Sequence, residues 1–87
     1  MTYADERVAA EMGRVLLALY RAGMQVRLSP DALRGRASAR IVAGPGAKRR
    51  AQAPRSASGV GDSPLQAIYA AVERMNEQSG VIVVALD

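Results

Sequence analysis

Val8, Met12, Val15, Leu16 and Leu19 recur every three or four residues between Tyr3 and Ala22, the period of one helix face. Thr2 is placed to cap this helix, Asp5 lies near the positive end of its dipole, and Gly23 suits the left-handed residue that closes it. The period then shortens to two. Met24, Val26 and Leu28 alternate with Gln25, Arg27 and Ser29, a half-buried strand that Ser29-Pro-Asp should end in a turn. From Arg36 to Ala43 the alternation returns, with Ala37, Ala39 and Ile41 on one side and Arg36, Ser38 and Arg40 on the other. Arg36 and Arg40 therefore share a face, roughly 13 Å apart along an extended strand. Gly44-Pro-Gly-Ala predicts a turn, and Arg49 to Ser58 a third strand with Ala51, Ala53 and Ala57 inward. Pro54 restricts that strand to a sheet edge, or makes it a loop.

Ser63-Pro-Leu-Gln predicts the start of a second helix: serine at the N-cap, proline at the first helical position, and Gln66 completing a capping box. Leu65, Ile68, Tyr69, Val72 and Met75 form its apolar stripe, and Gly80 ends it. Val81 to Leu86 is an apolar, β-branched run that reads as a strand buried on both faces. Such a strand lies centrally in the sheet or pairs with a second copy at its edge. The order α-β-β-(β)-α-β in 87 residues predicts a single α+β domain spanning 1–87. It would have two layers, with two helices on one face of a three- or four-stranded sheet. Val15, Leu16, Leu19, Ile68 and Val72 should form the core, with Tyr20 and Tyr69 in it or at its edge. Arg27, Arg36 and Arg40 would then face solvent from the opposite side of the sheet.

Composition narrows the chemistry. Cysteine and histidine are both absent, which excludes a disulfide framework, a thiolate zinc site, a Cys-His dyad and a Ser-His-Asp triad together. No cofactor or metal site is predicted. Asp5, Glu6 and Glu11 lie on the solvated side of the first helix without forming a carboxylate dyad. Glu73 and Glu77 sit one turn apart, as like charges on a solvated face do. No base or nucleophile is assembled, so the expectation is a protein that is not an enzyme. The acidic N-terminus has no signal-peptide pattern, and the longest apolar run is too short for a bilayer. A secreted domain of this size usually depends on disulfides, so a soluble, cytoplasmic protein with no membrane partner is expected.

Charge changes the picture most. Between Arg27 and Arg55 stand eight cations and one acid, a net +7, while the rest of the chain carries −3. The candidate contact residues are Arg36, Arg40, Lys48, Arg49, Arg50 and Arg55. Arginine fits such a role because its planar fork pairs bidentately with phosphate or carboxylate. Gly44-Pro-Gly-Ala-Lys-Arg-Arg lacks the Walker spacing and the hydroxyl residue after lysine, so it reads as a basic turn. Gly59-Val-Gly-Asp-Ser reads as a glycine-rich helix entry, where Asp62 would repel an anion. The expected partner is an acidic protein or nucleoprotein complex, or nucleic acid itself. The plain alternative is a solvated surface rich in arginine.

Three resemblances bear on this. Gly61-Asp-Ser-Pro-Leu-Gln-Ala is similar to the Gly-Asp-Gly-Pro stretch in the regulatory domain of isopropylmalate synthases, with serine in place of the second glycine. What the two share is helix-capping chemistry. The order α-β-β-β-α resembles the double-stranded-RNA-binding domain over residues 3 to 78. That family places lysines at the start of its last helix, where this chain has Asp62-Ser63-Pro64, and no Phe or Trp offers a base platform. In size and style, a cysteine-free single domain with one charged face resembles small phage-encoded inhibitors of the anti-CRISPR kind. That resemblance implies a binding or inhibitory module competing for an acidic patch, or gripping guide RNA or target DNA. The other expectations are a stand-alone nucleic-acid-binding protein, or a structural subunit that forms a homodimer through Val81–Leu86.

Overall fold

A computed structural model describes residues 3–31, 36–44, 55–80 and 84 of the chain. Helix α1 (Tyr3–Arg21) leads into strands β1 (Met24–Asp31), β2 (Arg36–Ala43) and β3 (Ser56–Gly61), and helix α2 (Pro64–Ser79) follows. The class is α+β: two helices and a three-stranded antiparallel sheet in the order β1-β2-β3.

Gly23 ends α1 in the left-handed region at φ 75°, as its position predicts, and its N–H bonds the carbonyl of Tyr20. The chain enters β1 at the next residue, so α1 packs chiefly on β1. Val15 and Leu19, one turn apart, are buried in the core shared with the sheet and α2. Leu16 is not: it is 37 % exposed, which corrects the predicted core. Each residue advances about 100° round a helix, and a helix resting mainly on one strand buries too narrow a stripe to include it. Val8 and Tyr20 are exposed for the same reason. Tyr20 thus belongs neither to the core nor to its edge.

Strand β1 runs through the predicted turn at Ser29-Pro-Asp and pairs along its whole length with β2, from Met24 opposite Ala43 to Asp31 opposite Arg36. Proline lacks the ladder donor, but β1 is an edge strand of the described sheet, where that loss is tolerated. The third strand also lies later than its alanine pattern suggests, at Ser56–Gly61. Ala57 faces inward and is buried; Ala51 and Ala53 lie outside the described residues. Gly59 and Gly61 are strand residues, not a helix entry. A Cβ on Gly59 would stand 2.3 Å from the backbone N of Ala71, and one on Gly61 2.7 Å from that of Ala67. Glycine is there because α2 lies directly on the β3 backbone.

Ser63 caps α2 as expected. Its Oγ accepts the N–H of Gln66 at 3.2 Å, and Gln66 Oε1 accepts the N–H of Asp62 at 3.1 Å. Pro64 occupies the first turn, and Gly80, at φ 71°, closes the helix. Ala67, Ile68, Ala71, Val72 and Met75 of α2 join Ala39, Ile41 and Ala57 of the sheet and Val15 and Leu19 of α1 in one core. The Val81–Leu86 run lies outside the described residues except for Val84, which is buried and belongs to no strand. Its N–H donates to Asn76 Oδ1 at 3.0 Å and its carbonyl accepts from Asn76 Nδ2 at 3.1 Å. Both backbone groups of Val84 are therefore taken by an α2 side chain.

Candidate functional site

Strand alternation sorts the sheet residues onto two sides. Ala37, Ala39, Ile41 and Ala57 share the side that contributes to the core. Gln25, Arg27, Ser29, Arg36, Ser38, Arg40, Val42, Ser56, Ser58 and Val60 share the other, and none of them is buried. Arg40 stands at the centre of that second face. Its register partner on β1 is Arg27 and on β3 Ser58. Directly opposed residues hold their Cβ atoms about 4.5 to 5.5 Å apart, so two guanidinium stems rise side by side. Like charges so placed destabilise a sheet. Arg40 Nη2 donates to Ser56 Oγ at 3.4 Å, and among the described residues neither Arg27 nor Arg40 makes an ion pair. Both arginines are exposed.

Arg36 lies on the same face, at the far end of β2, in different company. Its Nε is 3.6 Å from Asp62 Oδ1, and Asp31 is its register partner. Both side chains of the ion pair are exposed, so it adds little stability, but it lowers the local positive charge. Beside it Leu28, Pro30, Ala37 and Pro64 help to line a groove of about 360 Å³. Arg55 is exposed and just precedes β3, where its carbonyl accepts the N–H of Ala43 at 2.7 Å. Carrying the alternation back one residue puts it on the side of Ala57, away from Arg40. Lys48, Arg49 and Arg50 lie outside the described residues. Of the six candidates, the fold thus brings Arg36 and Arg40 to one face and sets Arg55 apart. It adds Arg27 as the closest companion of Arg40. Alternation alone puts Arg27 on that face; only the register makes the two neighbours.

A second polar cluster joins the helices. Tyr69 of α2 donates its phenolic hydrogen to Glu11 Oε1 on α1, and Arg14 donates to the same oxygen. Arg14 Nη2 also lies 3.5 Å from Tyr69 Oη. The Tyr69 hydrogen bond, followed by that of Arg14, holds the Glu11 carboxyl below its usual range. The same bond to Glu11 pushes the Tyr69 phenol up, and burial adds to the effect. The two shifts lead in opposite directions away from pH 7, so the carboxylate stays ionised and the phenol stays protonated there. The cluster is a fixed link between α1 and α2. Glu11 is thus paired as well as partly exposed, and no local sequence signal pairs it with a residue 58 positions away.

Among the described residues no three acidic side chains converge on a point that would hold a metal ion, and no helix is long and apolar enough to cross a membrane. No family model, curated protein or solved structure matches this chain.

Proposed function

We propose that the protein is a non-catalytic docking module, acting in the cytoplasm, whose Arg27–Arg40 face binds an acidic surface of a protein or nucleoprotein complex. The observation that carries this reading is the direct opposition of two arginines that make no ion pair among the described residues, on a face shared with Arg36 and otherwise rich in serine, glutamine and valine. Such a pair works against the sheet while the protein is free, and an anionic partner relieves the repulsion. The face is open if both helices cover the other side of the sheet in two layers. Burial of Ala39, Ile41 and Ala57 together with residues of α1 and α2 supports that arrangement. Occupying an acidic or phosphate-bearing surface is what an inhibitor of the phage-encoded, anti-CRISPR kind would do. Lys48, Arg49 and Arg50 would extend the same charge.

The test is a pull-down on immobilised protein, wild type beside the Arg27→Glu/Arg40→Glu double variant, each with and without nuclease treatment. A partner captured by the wild type after nuclease treatment and lost with the variant supports an acidic protein surface. A partner lost with nuclease identifies nucleic acid as the ligand, with binding that falls steeply with salt as counterions are released. Equal capture by the double variant would leave the face as solvated surface and reject the reading.

A further inference from the structure

Helix α1 carries a second apolar stripe, which nothing in the described structure covers. Ala9, Gly13, Leu16, Leu17 and Tyr20 recur at three- and four-residue spacing, and all five are exposed, Tyr20 to 79 %. Exposed Glu6 stands three residues before the stripe, and exposed Arg21 four residues after Leu17. Gly13 sits in the middle, seven residues from Glu6 and from Tyr20. A Cβ added there would meet nothing within 4 Å. No packing among the described residues therefore requires glycine, although glycine inside a helix is less favourable than almost any other residue.

We infer that this face of α1 is a homodimer surface, on which a second copy of the chain packs its own α1 in antiparallel direction, the two helices crossing at Gly13. Three features select a second copy as the occupant. The stripe is graded in size, with Ala9 and Gly13 towards its N-terminal end and Leu16, Leu17 and Tyr20 towards its C-terminal end. A two-fold axis at Gly13 sets Leu17 of each copy over Ala9 of the other, large against small. A parallel pairing would set large on large. The ends are graded in charge as well: the axis brings the Glu6 end of each helix to the Arg21 end of its mate, an arrangement self-complementary under two-fold symmetry. Finally, glycine on the axis lets two helix backbones approach closely, which gives the unfavourable residue a purpose. The dimer does not depend on the proposed role of the sheet. It would carry two Arg27–Arg40 faces, and hence two attachment points for an extended acidic partner.

Sedimentation equilibrium over a wide concentration range tests the inference. One helix pair buries less than a standard interface, so the wild type should pass from monomer to dimer within the micromolar range. Leu17→Glu and Gly13→Leu should each weaken association at least tenfold. Gly13→Leu raises helix propensity, so its far-ultraviolet circular dichroism should retain the wild-type helix content. Glu6→Arg and Arg21→Glu should each weaken the dimer, and the double variant should restore it. A monomer at every concentration would overturn the proposal. So would a dimer indifferent to Gly13→Leu and Leu17→Glu, or a double charge exchange that fails to recover association. These residues are exposed in the free chain, so loss of association with unchanged helix content separates the interface from folding.

Discussion

Neighbouring leucines on α1 have different weights. Leu19 is 1 % exposed within the core, whereas Leu16 lies on the outer flank. Truncating Leu19 to alanine should cost about 2 to 5 kcal/mol, through lost transfer energy and the cavity left behind. The same change at Leu16 should cost about 1 kcal/mol or less in dilute protein, where little area leaves water. Urea midpoints of the two variants measure the contrast, and equal losses would mean that the buried stripe of α1 is wider than described. The Glu11–Tyr69 link makes a prediction about pH. Glu11 has its pKa lowered in the folded state, so the unfolded chain binds this proton first on acidification. Its stabilising contribution is complete above the ordinary carboxylate range and is lost as pH falls through the folded value. The raised Tyr69 pKa acts in the opposite direction: its contribution is complete below the ordinary value of 10.0 and is lost as pH rises through the folded one. Tyr69→Phe should therefore flatten both limbs of a stability–pH profile. A variant with both limbs intact would show that the hydrogen bond does not persist in solution.

At the scale of elements, the close approach of α2 to β3 organises the molecule. Two glycines on the strand and alanines on the helix let backbone rest on backbone, which leaves no room for a methyl group at Gly59. Gly59→Ala should destabilise the fold by about 1 to 3 kcal/mol, as overpacking does, even though alanine is the better residue in most settings. Thermal unfolding of this variant is the measurement. An unchanged midpoint would show that α2 can shift away from the strand at no cost. The Ser63 cap, with Gln66 reaching back past it to the N–H of Asp62, fixes where α2 begins, so this contact starts within its first turn.

For the whole molecule, the arginine face should work against stability. Arg27→Ser removes one of two directly opposed cations and should raise stability by about 0.2 to 1 kcal/mol, the usual weight of a cross-strand pair. Added salt screens exposed charges. It should therefore stabilise the wild type more than the variant. Denaturant midpoints at low and high ionic strength test both statements, and a less stable Arg27→Ser protein would contradict them. If the same substitution weakens capture of the partner, the residues that serve binding are the ones the fold tolerates at a cost.

Periodicity and punctuation alone determined a good deal. The three-to-four-residue spacing of α1 and α2, the two-residue alternation of β2, the Ser63-Pro64 start and the Gly23 and Gly80 stops are local properties of the backbone, and they are where the sequence places them. Alternation also put Arg36 and Arg40 on one face of a strand before any neighbour was known. Tertiary structure decided the rest, because the deciding forces act between distant segments. A proline reads as a turn until its strand proves to be an edge, and a glycine pair reads as a helix entry until a helix is found lying on it. Leu16 and Tyr20 match the inward residues in type, and only the width of the contact with β1 leaves them outside. The neighbours of Arg40 and of Glu11 come from strand register and helix packing, which bring together residues that no spacing in the chain relates.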